Sequence, residues 1–208
     1  MKTKLLLEEL IELIKNLDYT VPDDVLGTGH STVEIESQIK IKPIPDSLID
    51  LYSCIDGGDD AILIPTHWLL PLNRINEEID LFLKSYPIFS DVIDEGQVNN
   101  IDEFLEWQPD MIPFFEDRAA GNIFVRSLAN DNSVWAATKY SSVYKINTSI
   151  DKFLSSVIEF YRQGAYFLDR DEYEDGSYED ELQWNTDYEL VREIVKQIDP
   201  EIENYCPP

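Results

Sequence analysis

Apolar residues return every three to four positions through "KLLLEELIELIKNL", where Leu6, Leu10, Leu13, Ile14 and Leu17 share a stripe. That spacing predicts an N-terminal helix. The pattern breaks in the turn-rich "YTVPDDVLGTGHS". Ser31 followed by Glu34 then has the spacing of a capping box, which predicts a short helix through "TVEIESQI". In "IKPIPDSLIDLYSCIDGG", Pro45 is expected at the first position of a helix carrying Leu48, Leu51 and Tyr52, with Gly57 and Gly58 as its stop. "AILIPTHWLLPL" reads as one apolar strand interrupted by Pro65, and "NEEIDLFLKSY" as a helix. Residues 87–110 are less regular. Within them "IDEFLEW" is expected to make one or two helical turns, ended by Pro109.

The period then changes. "MIPFF", "NIFVRSL", "SVWAATKY" and "SVYKI" are short runs rich in β-branched and aromatic residues, joined by connectors of turn composition. They predict a meander of antiparallel strands. "SIDKFLSSVIEFYRQGAY" returns to helical spacing, with Phe153, Leu154, Val157, Ile158 and Tyr161 on one face and Gly164 as the stop. "DYELVREIVKQI" predicts a last helix through Leu190, Val191, Ile194 and Ile198. Helices, then a sheet, then helices is the order of an α+β fold with a central, mostly antiparallel sheet, and there is no internal repeat.

Charge changes the picture more than composition does. Of 208 residues, 42 are Asp or Glu and 16 are Lys or Arg, a formal net charge of -26. Such a chain is repelled by nucleic-acid phosphates and by anionic membranes, and its field attracts cationic partners. The acids concentrate from Asp169 to Glu181, where Arg170 is the one base. Composition therefore divides the chain into residues 1–168, a domain opened by the N-terminal helix, and residues 169–208, an acidic segment and a helix packed on the same domain. The hydrophobic fraction of 43% is that of a folding chain. Glu8 and Glu9 interrupt "LLL" too soon for a signal peptide, and no run approaches the ~20 apolar residues of a membrane span. Cys54 and Cys206 make no disulfide framework, so a reduced, cytoplasmic setting is expected.

No motif carries catalytic chemistry. His30 and His67 lack partners at metal-ligand spacing, and "DRDEYEDGSYED" does not meet the calcium-loop pattern, so no metal or cofactor is expected. "GTGH" lacks the rest of a nucleotide fingerprint and reads as turn glycines. Cys54, followed along the chain by His67, lies on an apolar helix face and reads as structural. "IPFFEDRAAGNIFVRS" raises the sharpest question, because its polar turn holds an acid, a base, a glycine and an asparagine. Acid–base catalysis needs a second group within reach, and the sequence identifies none. The turn is expected to be a hairpin corner: Gly121 permits a tight bend, and Asp117 and Asn122 hydrogen-bond nearby backbone.

Three stretches in order resemble the SMI1/KNR4 family, also called the SUKH superfamily. They are "IKPIPDSLIDLYSCIDGG", "WQPDMIPFFEDRAAGNIFVRSL" and "SVWAATKYSSVYKINTSIDKFLSSV", and the resemblance spans residues 30–165. It implies an α+β domain whose sheet is flanked by helices, and a binding role without catalytic residues. Bacterial members are similar to immunity proteins that neutralise a cognate toxin, often a nuclease; fungal ones act as interaction hubs. The immunity reading makes a basic toxin domain the expected partner. The contact residues would be Asp169, Asp171, Glu172, Glu174, Asp175, Glu179 and Asp180, with Tyr173 and Tyr178 as aromatic anchors. The alternative is an intracellular scaffold or regulatory module with several weaker partners.

Overall fold

The computed structural model describes residues 2–17, 19, 27–58, 62–82, 110–117, 121–129, 131–138, 143–173, 178–185 and 188–202. It is an α+β fold built on a six-stranded antiparallel sheet. The expected meander is present as β5 (Met111–Asp117), β6 (Gly121–Arg126), β7 (Val134–Thr138) and β8 (Val143–Asn147), each paired with the next. Two further strands precede it. "AILIPTHWLLPL" is not one interrupted strand but a tight hairpin, β3 (Ile62–Ile64) and β4 (His67–Leu69), with β4 paired to β5. Pro65 and Thr66 form its turn, and Thr66 takes the left-handed conformation with φ 63°. The turn lacks the Asn-Gly or Asp-Gly that normally announces such a corner.

Helices cover both faces of this sheet. Helix α5 (Ile150–Arg162) lays Phe153 against Phe114 and Phe115, with ring centroids 5.8 and 5.9 Å apart. The β5–β6 register shifts between Pro113 and Phe115, so Phe114 is the extra residue of a bulge. A bulge re-aims a side chain, which is how adjacent residues both meet α5. Helix α4, over residues 75–82, takes the opposite face, where Phe82 meets Phe124 edge-on at 5.0 Å. Helix α1 (Lys2–Lys15) packs on α5, and Thr3 donates to Asp151 at 2.7 Å. Its buried stripe is Thr3, Leu7, Leu10 and Ile14, one position round from the expected one; Leu6, Leu13 and Leu17 flank it.

The capping box of Ser31 and Glu34 opens α2 (Thr32–Gln38) as expected. Pro45 is the N-cap of α3 (Asp46–Cys54) rather than its first residue, and Leu48, Leu51 and Tyr52 are buried beneath it. The glycines do not stop α3. It ends at Cys54, and Ile55–Asp56 (β2) pairs with Gly27–Thr28 (β1) before Gly57 is reached. Gly29 and Gly57 serve close backbone approach: a Cβ on Gly29 would sit 2.1 Å from the Ser53 carbonyl oxygen. The Tyr52 hydroxyl donates to the Leu70 carbonyl at 2.8 Å, which ties α3 to the end of β4.

Gly164, at φ 74°, ends α5 as expected. A further two-stranded sheet follows, β9 (Tyr166–Glu172) and β10 (Tyr178–Trp184), and then α6 (Tyr188–Ile198). Leu182 of β10 and Val191, Ile194 and Val195 of α6 join the same hydrophobic core as the central sheet. Asp199, buried just past α6, accepts from the Thr148 backbone N–H at 2.6 Å and from the Thr148 hydroxyl, which staples the C-terminal helix to the start of α5. The expected helical turns of "IDEFLEW" lie outside the described residues.

Candidate functional site

Two places hold the polar groups that the sequence singles out. The first is the corner of the β5–β6 hairpin. Asp117 ends β5 and Gly121 begins β6, while Arg118 lies outside the described residues. Asn122 is buried and pairs in register with Glu116, which pairs in turn with Trp68. Helix α4 lowers Glu78 onto this row, and Arg74, one turn earlier, reaches both acids. Its guanidinium lies 3.1 Å from Glu116 and 3.6 Å from Glu78. Burial pushes the Glu78 carboxyl above its ordinary range and Glu116 adds to the effect, while Arg74 and the side-chain amide of Asn122 oppose it.

His67 stands opposite Asp117 in the β4–β5 register. Burial pulls its imidazole down, against the Pro65 carbonyl 3.1 Å from Nδ1 and the field of Asp117. Its ring is thereby anchored in its own turn. Cys54 is partly buried at the end of α3 and lies beside the Ser53 hydroxyl at 3.9 Å. The corner thus clamps a buried and a partly buried acid, Glu78 and Glu116, with one guanidinium and binds helix α4 to the sheet.

This arrangement makes stability depend on pH. A carboxyl whose folded-state pKa lies above its unfolded value of 4.5 contributes stability below that pH, and the contribution is lost as pH rises through the folded value. Glu78→Gln stays neutral. It is expected to melt at a higher temperature than the parent at pH 7 and to show no advantage below about pH 4.5. Thermal melts from about pH 4 to pH 8 measure the difference. A variant that melts lower at pH 7 would mean that pairing with Arg74 outweighs the burial of the charge.

The second place is the acidic segment. Seven pairs align β9 with β10, from Tyr166↔Trp184 through Leu168↔Leu182 and Asp169↔Glu181 to Glu172↔Tyr178. Alternation sorts them into two faces. One face carries Tyr166 and Leu182, both buried, and partly buried Leu168. Farther out on that face Arg170 forks onto Asp180, with N–O distances of 2.6 and 3.0 Å, and lowers the Asp180 carboxyl. Tyr166 anchors the base between Phe160 and Tyr161, at 5.0 and 5.4 Å. The other face carries Phe167, Asp169 and Asp171 from β9 with Glu181 and Gln183 from β10. Asp169, Asp171 and Glu181 are exposed, and Phe167 is 38% exposed.

Of the expected contact residues, Asp169 and Asp171 thus share the outward face, Asp180 is engaged by Arg170, and Tyr173 is exposed just past β9. Glu172, Tyr178 and Glu179 occupy strand positions, with Glu179 opposite Asp171 in register. Glu174 and Asp175 lie outside the described residues. Phe167 and Glu181, which the sequence reading passed over, complete the outward face. The available signal was Asp175–Gly176 between two runs of mixed polar and aromatic residues, a composition that favours a hairpin turn. Among the described residues there is no cluster of three or more His, Cys, Asp or Glu side chains able to hold a metal ion. No described helix is long and apolar enough to cross a membrane.

A family model described as SMI1 / KNR4 family (SUKH-1) matches residues 31–156, from the N-cap of α2 into α5. The match takes in the β5–β6 corner and leaves out the acidic hairpin, α1 and α6. No curated protein matches this chain.

Proposed function

Because the chain belongs to the SMI1/KNR4 (SUKH-1) family, we propose that it is a non-enzymatic binding protein of the immunity type, which docks on a basic toxin domain and blocks it. The observation that carries this reading is the outward face of the hairpin. Asp169 stands directly opposite Glu181, and both are exposed. Like charges opposed across two strands cost on the order of 0.2–1 kcal/mol. A cationic partner would reverse the sign of that term on docking. The net charge of -26 acts at longer range in the same direction. It steers a basic domain into encounter and raises the association rate more than the final affinity.

Capture of partners by the tagged protein from its own host tests this, with washes at ~0.1 M and ~1 M salt, where the screening length falls from about 10 Å to 3 Å. One dominant basic toxin domain, whose association rate falls steeply across that range, is the expected result. A spread of weak partners that salt does not affect would overturn the proposal in favour of a scaffold.

A further inference from the structure

We infer that the outward face of the β9–β10 sheet is built to receive an arginine of the partner, seated over Phe167 and forked between Asp169 and Glu181; this rests on the reading that the partner is basic. Phe167, Asp169, Glu181 and Gln183 occupy two alternate register pairs, Phe167↔Gln183 and Asp169↔Glu181, which alternation places on one face as a four-residue patch. Side chains directly opposite in such a ladder stand about 4.5–5.5 Å apart at Cβ. Gln183, the cross-strand partner of Phe167, donates to the Glu181 carboxylate at 2.7 Å. Phe167 is 38% exposed, an apolar side chain on the same face as the two acids.

These features suit a guanidinium better than an ammonium. A guanidinium is planar, stacks on an aromatic face and offers paired N–H donors to carboxylates; an ammonium is a compact, strongly hydrated point charge. The opposite face of the hairpin already uses this chemistry inside the chain, where Arg170 forks onto Asp180 across the same two strands. On the outward face the corresponding cross-strand position holds two acids. The buried base of the hairpin, at Tyr166 and Leu182, fixes the patch relative to the core, so little ordering is left for docking to supply.

The probes are hexa-arginine and hexa-lysine peptides, which carry equal charge, titrated at ~0.15 M salt and followed through backbone amide shifts. Hexa-arginine is expected to bind about tenfold more tightly than hexa-lysine, with shifts centred on residues 167–169 and 181–183. Phe167→Ala is expected to erase the preference while keeping the parent's melting temperature, and Phe167→Tyr to retain it. Equal binding of the two peptides, or a preference that survives Phe167→Ala, would overturn the inference. Capture of a basic toxin domain alongside equal peptide binding would sink the arginine site alone. Failure to capture any basic partner would sink the functional reading on which it rests.

Discussion

Gly57→Ala is expected to cost about 3 kcal/mol or more, enough to leave a domain of ordinary stability marginal. A Cβ there would lie 2.1 Å from the Leu69 carbonyl oxygen and 2.3 Å from the Leu70 carbonyl carbon, so the obstruction is backbone on a sheet strand and its exit. The damage would spread through Asp56. Its carboxylate accepts from the N–H groups of Gly57 and Leu72, at 2.9 and 2.8 Å, and meets His30 at 2.9 Å. Shifting Gly57 pulls that junction apart. Gly164→Ala is the control: its φ of 74° strains alanine, but nothing lies within 4 Å of the added Cβ. Its cost is expected to stay near 1–2 kcal/mol, roughly the penalty of the left-handed conformation. Urea unfolding of both variants measures the contrast. A Gly57→Ala protein within about 1 kcal/mol of the parent would show that β2 and β4 yield to each other far more readily than packed backbones do.

The second large effect is expected at Arg126, the last residue of β6. Its Nε and Nη2 donate to the two carboxylate oxygens of Asp110 at 2.5 and 3.0 Å, and the pair is 15% and 20% exposed. The same guanidinium lies 5.9 Å from the ring centroid of Trp135 on β7. Arg126→Ala removes both contacts and leaves a mostly buried carboxylate without its cation, a loss of about 3 kcal/mol. Arg126→Ala combined with Asp110→Asn should recover part of that loss, since the stranded charge is gone. Denaturant titration of the single and double variants gives the answer. If the double variant is no more stable than Arg126→Ala, the loss comes from stacking on Trp135 and not from the stranded acid.

Much of the fold is legible before any coordinates because it rests on local rules. The capping box at Ser31, the periodicity of Phe153 to Tyr161, the stop at Gly164 and the four strands of the meander are each set by neighbours within a few residues. The family resemblance is legible for the same reason. It lies in ordered short motifs, and the matched span of residues 31–156 contains them.

What the sequence reading misplaced depends on distant contacts. Thr66 turns a corner that its own type disfavours because β3 and β4 must pair on the way into the central sheet. The stripe of α1 is centred on Leu7 because α5 and α3, not helix periodicity alone, choose which side is covered. The acid pair at the hairpin corner joins α4 to β5 through Arg74, a juxtaposition that no spacing along the chain encodes.

The acidic segment shows the division most clearly. By itself the sequence determined that residues 169–181 carry a dense negative charge, since charge is a property of composition. Which acids act together was decided only by the tertiary structure. Pairing of β9 with β10 commits Asp180 to Arg170 and turns Asp169, Glu181 and Phe167 outward. A strand has two faces, and the packing of Tyr166 and Leu182 on the core selects which one is left exposed.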